Sequence, residues 1–145
     1  MHFSKLLFLI SIFLSFNVSA ESEEIRREVN EFLSSYTKDL VGHKKSELVD
    51  RFDPRGYYKL GNGIKRLYSF EDVREWLTNR WAGPESLSFR DVSIEVLSPS
   101  AALVAAIMEW GNENGSKEIY SYTGLLIKHE GKWRIRLEDE SAKPE

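Results

Sequence analysis

The stretch GKWRIRLEDES, Gly131 to Ser141, decides how the rest of the chain is read. Side chains of a β-strand alternate between two faces, so residues two apart share a face. Taken that way, Trp133, Ile135, Leu137, Asp139 and Ser141 form one row, and Arg134, Arg136, Glu138 and Glu140 form the other. The first row starts as a core face and ends in a carboxylate and a hydroxyl. A pocket at the end of the strand accounts for that change, with Asp139 and Ser141 as its polar rim. The arginine row reads as a solvated or subunit-facing surface, since an anion site would need convergent donors.

The segments before it keep the same period of two. Leu87 to Leu97 places Val92, Ile94 and Val96 on one face, and Ser98-Pro99-Ser100 makes a turn. Ala101 to Trp110 is apolar on both faces apart from Glu109, as expected of a central strand covered on both sides. Glu118 to His129 follows after a Gly/Asn loop, and Glu130-Gly131 turns into the last strand, Lys132 to Glu140. Four strands joined by short turns make an antiparallel meander.

Upstream the period is helical. Ile25, Val29, Phe32, Leu33, Tyr36 and Leu40 form one stripe between Glu23 and Leu40, with Ser22 as N-cap and Gly42 as stop. A short helix over Lys44 to Arg51 ends at Asp53-Pro54. Asn62-Gly63 between two short β-prone runs signals a hairpin. Ser69 caps a third helix whose stripe is Phe70, Val73, Trp76, Leu77 and Trp81.

The first residues read differently. MHFSKLLFLISIFLSFNVSA has one Lys, an apolar run and a small-residue end, the pattern of a secretory signal peptide cleaved after Ala20. Its apolar run, Leu6 to Phe16, is shorter than the roughly 20 residues that span a bilayer. The organisation expected is a leader (1–20), one domain (21–141) and a flexible tail (142–145), in a secreted or periplasmic protein. Losing Lys5 takes the 20 basic residues to 19 against 23 acidic ones, a formal charge of −4. No basic stripe appears, which argues against nucleic acid. Cysteine is absent, and after the leader only His43 and His129 remain as imidazoles, so no metal site and no cofactor are expected.

This order of elements, and above all Gly131-Lys132-Trp133-Arg134-Ile135 with Ser141 beyond, resembles the nuclear transport factor 2-like superfamily. That superfamily includes ketosteroid isomerase and SnoaL-like polyketide cyclases. The resemblance implies an α+β fold, a curved antiparallel sheet packed against three N-terminal helices in a cystatin-like cone. In the isomerases a tyrosine on the first helix is an oxyanion donor, and registering the chains on Phe52 puts that position at Tyr36. The position of their catalytic base falls on Leu60, which cannot move a proton, and Tyr57, Tyr58 and Lys59 supply no carboxylate. Many relatives have a histidine where this chain has Asp139.

The leading expectation is a protein that binds a small, partly apolar molecule through Tyr36, Tyr57, Trp76, Trp110, Tyr122 and Asp139. The first alternative is a cofactor-independent isomerase, cyclase or dehydratase, using Asp139 or Glu109 with Tyr36. Glu109 could serve as a base or pair with Arg134 or Arg136 across the sheet. The second alternative is an interaction module or homodimer formed through the sheet, with Arg134, Arg136, Tyr120 and Tyr122 at the interface. Asn114-Gly115-Ser116 is a formal glycosylation sequon. Intact-mass measurement on exported protein is expected to find a chain starting at Glu21; a chain still carrying Met1 to Ala20 would remove the signal-peptide assignment.

Overall fold

The computed structural model describes residues 3–142, and side chains from residue 20 onward. Residues 1–2, the side chains up to residue 19 of the expected leader, and residues 143–145 of the expected tail lie outside the described set. Helix α1 runs Phe3–Val41, followed by α2 (Lys45–Val49), β1 (Tyr57–Gly61), β2 (Ile64–Tyr68) and α3 (Phe70–Asn79). The four long strands are β3 (Ser86–Ser98), β4 (Ala101–Gly111), β5 (Lys117–His129) and β6 (Lys132–Ala142). The expected break at Ser22 is absent: the backbone stays helical across Ala20 and Glu21, so Ser22 lies inside α1 rather than capping it. No helix among the described residues is long and apolar enough to cross a membrane.

The expected cone is corrected by the sheet itself. The hairpin joins the meander in one six-stranded sheet of order β2-β1-β6-β5-β4-β3. The β1–β6 pair is parallel, with Tyr58 opposite Leu137, Lys59 opposite Glu138 and Leu60 opposite Asp139. The sheet is therefore mixed rather than antiparallel, and it stays open, with β2 and β3 as its ends, instead of closing into a cone. The parallel pair arises because the chain leaving α2 docks on β6 before β1 begins. Asp53 N–H donates to the Ile135 carbonyl at 3.0 Å, and Ile135 N–H donates to the Arg51 carbonyl at 2.7 Å.

Local signals place the remaining elements. Asn62 and Gly63 both have positive φ, 49° and 79°, as a type I′ hairpin turn requires. Ser69 and Asp72 form a reciprocal capping box on α3. The α1 stripe is buried as its spacing demands, from Ile25 to Leu40, in one hydrophobic core with Leu48, Val104, Leu126 and Ile135. Within α1, Glu28 ties the helix to the sheet: it accepts from Trp133 Nε1 at 2.8 Å and pairs with Lys128 at 2.7 Å. At the other end of the chain β6 continues to Ala142, whose N–H donates to Asn62 Oδ1 at 3.0 Å, and the rest of the expected tail, 143–145, lies outside the described residues.

Alternation breaks within β6. Leu126 faces Ile135, but Leu125 faces Leu137, so β6 holds one residue more than its partner at Arg136. Such a β-bulge flips every later side chain to the opposite face. Arg136 Nη1 donates to the Gly56 carbonyl at 2.5 Å, and its guanidinium lies 3.7 Å from the buried Asp53 carboxylate and 5.2 Å from the centre of the Tyr58 ring. The bulged residue is thus tied to the loop that precedes β1. Arg136→Met is expected to cost about 2 kcal/mol, read as a lower urea midpoint; an unchanged midpoint would mean that the bulge does not depend on this guanidinium.

Candidate functional site

The bulge decides which acids face the helices. Before it, Trp133 and Ile135 point into the core; after it, Glu138 and Glu140 take that face, opposite Gly124 and Tyr122. Asp139 and Ser141 fall on the outer face opposite Thr123 and Ser121, where Ser141 Oγ donates to Asp139 Oδ1 at 2.8 Å. Glu109 is also outward, on β4, and its partner is Arg90 at 3.0 Å rather than Arg134 or Arg136. The grouping of Arg134 and Arg136 with Glu138 on one solvated face is overturned for the same reason.

Glu138 is only 2% exposed. Tyr36, from the C-terminal part of α1, donates its hydroxyl proton to Glu138 Oε1 at 3.2 Å, and Tyr122, from β5, donates to the same oxygen at 3.1 Å. Tyr122 reaches it because Gly124, directly opposite Glu138, has no side chain: a Cβ there would sit 2.7 Å from the Tyr122 hydroxyl oxygen. Tyr122 therefore belongs to the inner face, and so does Tyr120, which removes both from the expected sheet-face interface. Oε2 of Glu138 accepts no hydrogen bond among the described residues.

A cavity of about 190 Å³ opens beside this carboxylate, between the helices and the inner face of the sheet. Tyr36, Tyr57, Trp76 and Trp110 line it, as does Glu138. Tyr122 stands behind Glu138, and Asp139 is on the far side of β6. Trp76, one of the expected ligand contacts, is 46% exposed and stands at the cavity edge. Leu60 takes the outer face beside Asp139, so Lys59, like Tyr57, faces inward from β1. Lys59 Nζ pairs with Glu140 Oε2 at 2.5 Å, and both side chains are about a quarter exposed (28% and 23%).

Burial raises the Glu138 pKa to about 7. The Lys59 charge works against that rise, the Glu140 charge adds to it, and the hydrogen bonds from Tyr122 and Tyr36 oppose it. The Tyr36 and Tyr122 hydroxyls are driven well above their usual value, first by burial and then by the Glu138 charge, so both remain proton donors. Tyr57 shifts the same way for the same reasons. The arrangement is a buried carboxylate whose pKa is raised by burial, fixed through one oxygen and lining a cavity. Among the described residues no group of three or more His, Cys, Asp or Glu comes together as a metal site.

A carboxyl whose pKa is higher folded than unfolded stabilises the protein below the unfolded value, and that contribution is lost as pH rises through the folded value. For Glu138 the window runs from 4.5 to about 7. Glu138→Gln keeps the acceptor for both tyrosines and removes the charge. Relative to the wild type, the variant is expected to gain stability between pH 5 and 8, by up to about 3 kcal/mol. Urea unfolding at the two pH values tests this; parallel pH dependence of the two proteins would contradict it.

No family model matches the sequence, and no curated protein matches it. Solved structures do. An NTF-2 like protein of unknown function from Shewanella oneidensis is 17% identical, covering 80% of this chain and 98% of its own, with a TM-score of 0.68. A protein from Novosphingobium aromaticivorans named "putative scytalone dehydratase" is 14% identical over 87% of this chain and 89% of its own, with a TM-score of 0.67. One from Parabacteroides distasonis named "putative ketosteroid isomerase" is 10% identical over 77% and 85%, with a TM-score of 0.62. The chain has a fold resembling that of the nuclear transport factor 2-like, cystatin-like proteins.

Proposed function

We propose that this chain is a proton-transfer enzyme of the isomerase, cyclase or dehydratase class, acting on a small, partly apolar carbonyl compound without a cofactor. The observation that carries the reading is Glu138, a buried carboxylate held by two tyrosine hydroxyls through Oε1 and facing a cavity. A general base works best when its pKa lies near the working pH, and burial brings Glu138 to about 7. The base is thus the neighbour of the expected Asp139. Tyr36 and Tyr122 orient the carboxylate, and Oε2 is the oxygen left to take and return the proton.

The cavity bounds the substrate. Roughly 150 Å³ holds one benzene ring, so about 190 Å³ admits a single ring with small substituents. Leu40, Leu77, Trp81 and Met108 give it an apolar wall. The names of the two enzyme-like structural relatives point the same way. Ligand binding without chemistry, the first expectation from sequence, leaves a costly buried carboxylate without a task. The apolar leader further supports action outside the cytoplasm.

The test is exchange of the protons next to the carbonyl in a panel of small cyclic ketones, followed by NMR in deuterium oxide. The wild type is expected to catalyse exchange at a rate that rises with pH to a midpoint near 7. Glu138→Gln is expected to lower it by about 10²- to 10⁴-fold. No exchange by the wild type across the panel, or equal rates in both proteins, would overturn the proposal.

A further inference from the structure

Removing a proton next to a carbonyl leaves negative charge on the carbonyl oxygen, and a base alone does not stabilise it. The resemblance in sequence offered Tyr36 for that task, but a hydroxyl has one proton to donate. The Tyr36 and Tyr122 protons are both directed at Glu138 Oε1. Neither is left for the substrate while Glu138 is the acceptor, so a different donor has to meet the oxyanion.

Lys59 is the one cation among the described residues that line the cavity. It stands directly opposite Glu138 in the parallel β1–β6 ladder, so the two side chains enter the cavity from neighbouring strands on one face. Its ammonium has three N–H donors, and among the described residues one partner is seen, Glu140 Oε2 at 2.5 Å. Glu140 thereby anchors the Lys59 head and leaves N–H groups for a ligand. The backbone supports this placement: Gly61, two residues on, lies so close to the Glu140 backbone that a Cβ there would collide with the Glu140 carbonyl. The spacing of β1 and β6 at the ion pair is therefore tight.

We infer that Lys59 is a further catalytic residue, the donor that holds the developing oxyanion while Glu138 moves the proton, and that the cavity accordingly selects ligands bearing an oxyanion on a small ring. The inference rests on the proton-transfer reading of the same cavity. In the step, ionised Glu138 takes a proton from the carbon beside the carbonyl. The C–H electron pair becomes a new carbon–carbon double bond, and the carbonyl π pair moves onto oxygen, where a Lys59 N–H holds it. Return of the proton from Glu138 to the same carbon, or to the far end of a conjugated system, restores the carbonyl. Atoms, charge and electrons balance with no further reactant.

Nitrophenols test the donor without requiring turnover, since their phenolates resemble the enolate and absorb apart from the neutral phenols. The wild type is expected to bind 4-nitrophenol as the phenolate. Lys59→Met is expected to weaken that binding at least tenfold, while Lys59→Arg restores most of it. The double variant Lys59→Met with Glu140→Gln leaves no unpaired carboxylate behind, so its folding is not compromised by a stranded charge; it is expected to lose phenolate binding as well. Phenolate binding that survives Lys59→Met or the double variant, or a wild type that binds no phenolate, would overturn the assignment of Lys59. Phenolate binding through Lys59 with no ketone exchange would keep this assignment and defeat the proton-transfer proposal. Exchange unaffected by Lys59→Met would defeat this assignment and leave the proposal standing.

Discussion

The arrangement depends on one extra residue in β6. Arg136 bulges out of the ladder, and its guanidinium is held by the Gly56 carbonyl and the Asp53 carboxylate. Without that bulge, strict alternation would turn Leu137 and Asp139 toward the helices and Glu138 toward solvent. With it, the apolar face of the strand changes after Ile135 into an acidic one, at the place where the core gives way to a cavity. The Arg136 contacts fall on the segment, Arg51 to Gly56, whose backbone docks on Ile135 and leads into the parallel pairing of β1 with β6. The same tie thus brings Lys59 beside Glu138.

A carboxylate at this depth carries a desolvation cost, and the surroundings offset only part of it. Two tyrosine hydroxyls and the Lys59 charge favour the ionised form, while burial and the neighbouring Glu140 favour the protonated one. The balance leaves Glu138 near neutrality rather than locked in either state. A core residue selected for stability alone would be apolar, or paired directly with a base. Here Lys59 is paired with Glu140 instead, so Glu138 meets its charge only at one remove. Local stability is lower for this, as is common where a site rather than the core sets the choice of residue.

Much of the framework was legible in the sequence because its signals are local. The α1 stripe, the Asn62-Gly63 turn and the Ser69 cap each depend on residues within a few positions, and each forms as its pattern requires. The aromatic residues Tyr36, Tyr57, Trp76 and Trp110 were also readable as inward, and they line the cavity. The acids were not. Asp139 and Glu109 were chosen by alternation and by contrast with apolar neighbours. Alternation is valid only while a strand keeps step with its partner. The bulge carries no glycine or other local mark, since its extra residue is an arginine. Gly124 beside Tyr122 was the one usable hint, because a glycine within a strand signals that something approaches closely.

The sequence by itself determined the kinds and order of the elements, the helical faces that enter the core and the supply of aromatic side chains. These follow from periodicity and capping, which act over a few residues. Only the tertiary structure decided that the sheet is mixed and open and that Glu138, not Asp139, meets Tyr36. That decision rests on a contact between residues 80 positions apart, Arg136 with Gly56. No local pattern encodes which distant carbonyl an arginine will find.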